Sequence, residues 1–524
     1  MQAEMNRSMT RLKLKSFGPP YFIAYRLETS DQAETEASIG GEISRSRSFS
    51  STLYVEVRYG DRHFDNTDLR YRGWHDSGSL NPDLLSRKIW WLTDEAYKGA
   101  VAGYLRKKAR RLEHPEESGL DDFSAEPPVK AVIRPRGPRL APEKSERLVR
   151  LLSSVLLNTP EVYTSNVQIV ESRGRRYLLT SEGTRIATPT ENLPDFLVAS
   201  AFSRAGDGMG VSDELAWTFR GLESLPPRAA LLKAMDRLAL ETKQKSLAPL
   251  QPPVAAPALL DPEFTGVLFH EALGHKLEGE RQRDPDQSQV FKDLVGKRII
   301  PRFLSLIDDP TLASFAGTPL HGHYAYDDEG VIAQKVVLVD HGILRNFLMS
   351  RWPIQGFPHS NGHGRADAYS RPTGRMAVLI VKAEPPTPAK TLRDRLLKLA
   401  QDQGKPYAFY LVGSFGGDNF TSRESPQTLQ VQPRLVYRVD AKTGAMTLVR
   451  GVRMVGTPLA VLNRIVAAGD DATLANAYFC GAESGFVSVS QIAPSALISQ
   501  VELQRTPENR ARPPILPPPS PGKR

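Results

Sequence analysis

The sequence predicts an α+β protein in two parts: a mixed α/β N-terminal domain over residues 1–246, and a β-rich C-terminal domain over residues 261–505 with a histidine-bearing helix near the boundary. Three observations carry this expectation. Helical apolar spacing is concentrated before Lys245, whereas β-branched runs bounded by glycine dominate beyond it. Between the two stand Pro249, Pro252, Pro253 and Pro257, which lack an amide proton and clash with a preceding helical turn, so residues 247–260 read as a linker. A length of 524 residues, at roughly 100 to 200 per domain, gives two or three domains.

In chain order, Tyr21-Phe22-Ile23-Ala24-Tyr25 and Leu53-Tyr54-Val55-Glu56-Val57 predict short strands between Gly/Ser turns. Ile89, Leu92, Ala96, Val101 and Leu105 keep helical spacing between residues 81 and 114, with Trp90 and Trp91 read as packing residues. Residues 114–142, rich in proline and acid, read as an exposed loop, and residues 143–157 resume helical periodicity. Strands are expected over residues 167–170 and 177–180 across a turn at Arg173-Gly174, followed by two helical segments up to Lys245. In the second half, residues 336–344 and 435–449 read as hairpins turning at His341-Gly342 and Thr443-Gly444, with a helix near residues 392–400. The tail, residues 506–524, is Pro-rich and basic with little to bury, and is expected to be disordered.

Several functional classes are disfavoured by composition. No apolar run is long enough to span a bilayer, and residues 1–15 are polar and basic without a secretory apolar core, which predicts a cytoplasmic protein without a membrane association. The single cysteine, Cys480, excludes an intrachain disulfide. A net charge of +9 raises the question of an anionic partner. Its densest basic run, Arg106-Lys107-Lys108-Ala109-Arg110-Arg111, closes a predicted helix, where cations suit the C-terminal carbonyls, and no aromatic residues interleave it. A nucleic-acid patch is therefore not expected. Gly206-Asp207-Gly208-Met209-Gly210 completes no phosphate-binding fingerprint and reads as a loop.

The segment richest in chemistry is His270-Glu271-Ala272-Leu273-Gly274-His275. Zinc-binding histidines on one helical face ordinarily stand four residues apart, about 40° around the helix, with the glutamate after the first as general base. Here they stand five apart, about 140° on an ideal helix, too far for one tetrahedral ion. Taking up one residue in a π-bulge, or unwinding at Gly274 where distortion costs least, restores an effective four-residue spacing. Phe264, Val267 and Leu268 give this metal-binding helix an apolar face. On spacing alone, an ordinary polar helix end is an equally open reading.

The stretch from Leu268 to Glu280 resembles the H-E-x-x-x-H signature of the TldD/PmbA peptidases, including the Leu277-Glu278-Gly279 behind it. Further matches follow in the same order: Tyr326-Asp327-Asp328-Glu329-Gly330, the run from Leu338 to Leu344, Asn361 to Arg365, Arg375-Met376, Ser414 to Gly417, and Phe479-Cys480-Gly481. Residues 482–494 and the Pro-rich tail depart from the family pattern. The resemblance implies a zinc metallopeptidase in which His270, His275 and Cys480 hold the ion and Glu271 is the general base. A thiolate is soft enough to suit zinc, while Glu278, three residues after His275, is the competing third ligand. The resemblance further implies a homodimer, or a heterodimer with a paralogous subunit lacking the metal motif, around a site open only to unfolded peptides. Asp327, Asp328 and Glu329 read either as partners of a histidine N–H or as a solvated turn, and His321, His323 and His363 as structural or exposed. The alternative function is a non-catalytic basic binding module for DNA or a DNA-associated enzyme.

Overall fold

One long hairpin organises the N-terminal part. The structure, a computed structural model, describes residues 1–68, 73–78, 82–113, 119–134, 140–190, 195–419, 422, 428–506 and 516. Strands Phe22–Ser38 and Gly41–Arg58 pair antiparallel from Phe22↔Arg58 to Ser38↔Gly41, in place of several short strands. Ile39 and Gly40 make the turn with φ of 46° and 75°. The serine-rich stretch before Ser50 stays extended because ladder hydrogen bonds, rather than buried side chains, hold it.

Strand Thr164–Thr180 runs along the other edge of Phe22–Ser38 without the turn expected at Arg173-Gly174. It changes its second partner there instead, from Asp195–Arg204 to Arg185–Pro189. A Cβ at Gly174 would overlap the Thr29 carbonyl oxygen, so the glycine serves a close strand approach. Asp195–Arg204 and Gly210–Phe219 form a hairpin through the loop at Gly206 to Gly210, where a helix had been expected; Leu197, Ala199 and Ala201 bury with a period of two. Of the two helical segments only Arg228–Leu247 forms. Helix Pro82–Glu113 buries Ile89, Leu92, Ala96 and Val101. Trp90 and Trp91, read from sequence as packing residues, are 52% and 53% exposed, since steps of about 100° carry them off that stripe. Residues 114–118 and 135–139 of the expected loop, and all of the tail beyond Thr506 except Leu516, lie outside the described residues. The part of the loop that is described is not exposed throughout, for Asp122, Phe123 and Ser124 are buried.

In the C-terminal part five strands close on themselves: Val254–Leu260, Tyr407–Asn419, Leu429–Asp440, Val452–Gly456 and Ala496–Arg505, the last returning to the first. Val254–Leu260 lies inside the segment expected to be a linker. Its Pro257 is tolerated because the register against Ala496–Arg505 shifts between Ile498 and Val501, so no ladder partner there needs its missing amide proton. Beside this barrel a six-stranded sheet runs in the order Ile343–Leu344, Val336–Asp340, Leu304–Asp308, Val378–Ala383, Gly485–Ala493, Thr473–Ala482. The hairpin turns at His341-Gly342 and Gly444 fall where the sequence places them, with φ of 45°, 80° and 71°. Helix Ala389–Asp402 covers the helix expected near residues 392–400. Helix Pro262–Phe269 leaves the barrel strand Val254–Leu260 and buries Phe264, Leu268 and Phe269 in a core shared by barrel and sheet. No helix among the described residues is long and apolar enough to cross a membrane.

Charge, more than apolar surface, joins the two parts. Arg283 pairs with Asp122 at 2.8 Å, Arg351 with Glu182 at 2.7 Å and Arg434 with Glu241 at 2.7 Å, while Arg58 and Arg351 lie 3.7 and 3.8 Å from the centroid of the Phe123 ring. Arg176 pairs with Asp328 across the same seam. The basic run on helix Pro82–Glu113 is partly neutralised too, Lys107 by Asp122 at 2.6 Å and Arg110 by Asp68 at 2.7 Å. Glu329 is enclosed in this region, its carboxylate accepting from the Arg351 backbone N–H at 2.6 Å. Burial and the neighbouring Asp327 push its carboxyl up to about 8, against the pull of Arg351. A folded-state value above the unfolded one means stability that is fully present below about pH 4.5 and is lost as pH rises through about 8. Thermal melts of wild type across pH 5 to 9 should therefore fall more steeply with pH than those of Glu329→Gln; parallel curves would refute the assignment.

Candidate metal centre

Helix Pro262–Phe269, which leads into the histidine segment, is fixed at its start. The Asp261 side chain accepts from the Phe264 backbone N–H at 2.8 Å, and Pro262 occupies the first helical position, where no amide proton is needed. At His270 the α-helix widens into a π turn over His270–Gly274, and the His275 N–H bonds to the His270 carbonyl five residues back. Of the two distortions that would bring the histidines together, a π-bulge or unwinding at Gly274, the chain adopts the first. It sets the two imidazoles 4.9 Å apart between centroids at 85°. Gly274 serves the turn for a different reason from the one expected. Its φ and ψ of −49° and −57° are ordinary helical values, but a Cβ would overlap Met376 Sδ, which packs against the widened turn.

Cys480 approaches from strand Thr473–Ala482, just past an irregularity in its pairing with Gly485–Ala493. Its Sγ lies 3.5 Å from His275 Nε2, and the ligand atoms of His270, His275 and Cys480 all fall within 4.8 Å of one another. No other such group of three occurs among the described residues. Burial opposes the Cys480 thiolate, but the charges of His275, His270 and Arg375 outweigh it and hold the thiol well below its ordinary value. For His275, burial opposes the charged ring, yet Cys480 and Glu278 together raise it well above the usual range.

The structure separates Glu278 from this trio. Its Oε1 lies 2.9 Å from His275 Nδ1, and Oε2 accepts from Arg281 at 2.6 and 2.8 Å. Burial works against its ionisation, but Arg281, His275 and Arg375 bring its carboxyl down to about 2. A carboxylate can only accept, so Nδ1 carries a proton, and Nε2, which faces Cys480, is the nitrogen whose lone pair an ion would take. His270 has a neutral counterpart: Gln491 Nε2 lies 3.0 Å from its Nδ1, and Gln491 Oε1 is buried without a partner. With the amide turned by half a rotation, Oε1 would accept from Nδ1–H and leave the other ring nitrogen free for an ion. Two imidazoles and a thiolate, each braced from behind, fit a zinc ion that keeps one open position.

Glu271 points away from the ligand trio's braces and under strand Tyr407–Asn419. A Cβ on Gly417 would come 2.7 Å from Glu271 Cγ, and Asn419 Nδ2 donates to the Glu271 carbonyl. Burial raises its carboxyl above the usual range against the opposing charges of His270 and His275. The functional neighbours that sequence reasoning missed are Gln491, Arg281 and the bridging role of Arg375; only Arg375-Met376 left a sequence signal, through the family resemblance. Asp327 is neither a histidine partner nor solvated, since it accepts backbone N–H groups of Glu329, Val331 and Gly364 at 3.0, 2.8 and 2.9 Å. His363 is buried with its Nε2 3.3 Å from Asp308.

Because Met376 fills the space beside Gly274, Gly274→Ala should cost about 1–3 kcal/mol through overpacking and weaken metal retention together. Thermal denaturation and metal analysis of the variant check this, and unchanged values in both would count against the Met376 contact.

Comparison with known proteins bears on the same half of the chain. Residues 253–505 match the PmbA/TldA metallopeptidase C-terminal domain. A metalloprotease of Methanocaldococcus jannaschii is 31% identical over 258 residues, covering 48% of this chain and 52% of that protein. A zinc metalloprotease TldD homolog of Saccharolobus solfataricus is 26% identical over 249 residues, covering 47% and 51%. The match thus spans about half the length of these curated relatives. Among solved structures, TldE from Thermococcus kodakarensis superposes with a TM-score of 0.63 at 15% identity over 92% of this chain and 97% of its own. A proposed modulator of a DNA gyrase from Thermotoga maritima does so with 0.64 at 14% identity over 96% and 99%. The α+β fold is therefore shared along nearly the whole chain, and residues 253–505, the region holding the histidines and Cys480, carry the sequence signature of the PmbA/TldA metallopeptidase C-terminal domain as well.

Proposed function

We propose that this chain is a zinc-dependent metallopeptidase that hydrolyses unfolded peptides, with His270, His275 and Cys480 as ligands and Glu271 as general base. The observation that carries the reading is the convergence of those three ligand atoms within 4.8 Å of one another, at a turn that also delivers Glu271. When bound, zinc supplies an acidified water, its pKa lowered towards about 7, and polarises a peptide carbonyl. Glu271 receives the proton of the attacking water on its carboxylate, which burial makes more basic than an exposed one, and returns it to the leaving amine. Glu278 keeps the proton on His275 Nδ1, so the ring presents a lone pair at Nε2. Gly416 and Gly417 keep the strand beside Glu271 free of side chains, which suits close approach by an extended peptide backbone. The likeness to TldE supports assembly as a dimer, of identical chains or with a paralogous subunit, and a chain with one free cysteine suits the cytoplasm.

Metal analysis of purified wild type should find about one zinc per chain, and the His270→Ala/His275→Ala double variant should lose it. Glu271→Gln should keep the zinc and lose about 10²–10⁴-fold in cleavage of an unstructured peptide pool. Cys480→Ser should lose zinc and activity together. Should Cys480→Ser retain both while Glu278→Gln loses both, Glu278 is the third ligand. A wild type that cleaves no peptide yet binds DNA with steep salt dependence would favour the binding-module reading instead.

A further inference from the structure

Arg375 is fully buried and sits between two groups of the centre that lie about two hundred positions apart in the chain. Its Nη2 donates to the Cys480 carbonyl at 2.6 Å and to Cys480 Sγ at 3.2 Å, while its Nε lies 3.3 Å from Glu278 Oε1. Nη1 donates to Ser484 Oγ at 2.8 Å and to the Gly485 carbonyl at 3.0 Å, which holds the turn that follows Cys480. The guanidinium thus touches the thiolate on one side and, on the other, the carboxylate that braces His275.

Its own backbone is anchored on both flanks. Gly374 N–H donates to the Glu280 carboxylate at 2.8 and 2.9 Å, the Arg375 N–H donates to the His363 carbonyl at 2.9 Å, and Met376 packs against the π turn. Arg281 also pairs with Glu278 but is turned towards Glu483, at 2.7 Å. Arg375 reaches both the Cys480 sulfur and the carboxylate behind His275.

Resting on the metal reading above, we propose that Arg375 is a positioning residue that couples two of the three ligands. It holds the Cys480 thiolate in place and damps its donor strength, and it fixes the Glu278 carboxylate on His275 rather than on the ion. A planar fork can serve both partners at once. A lysine ammonium at the same position is a point charge on a flexible stem and can satisfy one of them well. Partners of this kind typically change metal affinity 10- to 100-fold when removed.

The test uses the full chain with zinc and, as a spectroscopic probe, Co²⁺. Zinc affinity is measured by chelator competition, and the thiolate-to-cobalt charge-transfer band is recorded for wild type, Arg375→Met, Arg375→Lys, Glu278→Gln and the Arg375→Met/Glu278→Gln pair, each checked for folding by circular dichroism. Arg375→Met should weaken zinc about 10- to 100-fold and move the band to longer wavelength, because the sulfur lone pairs lose a stabilising cation. Arg375→Lys should recover only part of the affinity. The double variant should lose less than the product of the two single losses, since both act through Glu278. A folded Arg375→Met with wild-type affinity and band position overturns the proposal, as does full recovery by lysine or a strictly multiplicative double variant. If Arg375→Met does not fold, the lysine variant decides by the same criterion. A wild-type chain that takes up neither metal overturns the zinc reading itself, whereas metal uptake with indifferent variants overturns the role of Arg375 alone.

Discussion

The backbone hydrogen bond from the His275 N–H to the His270 carbonyl governs the whole centre. With the histidines five positions apart, a regular α-helix would turn one ring about 140° away from the other. Widening the turn solves the problem at the level of the main chain. It also imposes conditions on distant residues: Met376 must support the outside of the turn, position 274 must lack a Cβ, and Asp261 must start the helix at the right point on the barrel strand. The barrel, the capped helix and the sheet that carries Cys480 act as a frame around one irregular turn.

Charge around the frame is laid out in alternation. Outward from the Cys480 sulfur come Arg375, then Glu278, then Arg281, then Glu483, each within 2.6 to 3.3 Å of the next. Isolated burial of any of these would cost several kcal/mol. In sequence each opposite charge stabilises its neighbour, which is why Glu278 stays ionised in the interior. The same logic holds at the seam between the two halves, where Arg58 and Arg351 face Phe123 and carboxylates together. Apolar burial builds the two cores; paired charge fixes how they meet.

The two-part α+β plan was legible in the sequence, and so was the motif, because both rest on local signals: periodicity, proline placement and a six-residue pattern. The π turn was legible as one of two distortions that would bring histidines five residues apart onto one face, unwinding at Gly274 being the other. What escaped depends on partners far away in the chain. Thr164–Thr180 reads as two strands with a turn because Gly174 looks like punctuation, and only its contact with Thr29 gives the glycine another purpose. Val254–Leu260 reads as a linker because prolines forbid a helix, while the bulge that lets Pro257 sit in a strand lies on residues 498–501. Asp195–Arg204 and Gly210–Phe219 form a hairpin in the stretch from which two helical segments were expected, and the period of two at Leu197, Ala199 and Ala201 shows only once the buried face is known. Cys480 led Glu278 as third ligand only through the family resemblance, because which nitrogen of His275 each one faces depends on parts of the chain far apart in sequence.

His275 and Cys480 stand 205 positions apart. During synthesis at about 5–20 residues per second, roughly 10–40 s pass between the emergence of one and of the other. Through that interval a nascent chain offers the two imidazoles and the nearby carboxylates but not the thiol. The thiol arrives on a hairpin that must dock beside the barrel before it can face them. The His270, His275 and Cys480 trio is therefore assembled late and only in a chain of completed topology, and chains truncated ahead of that hairpin would lack its third member.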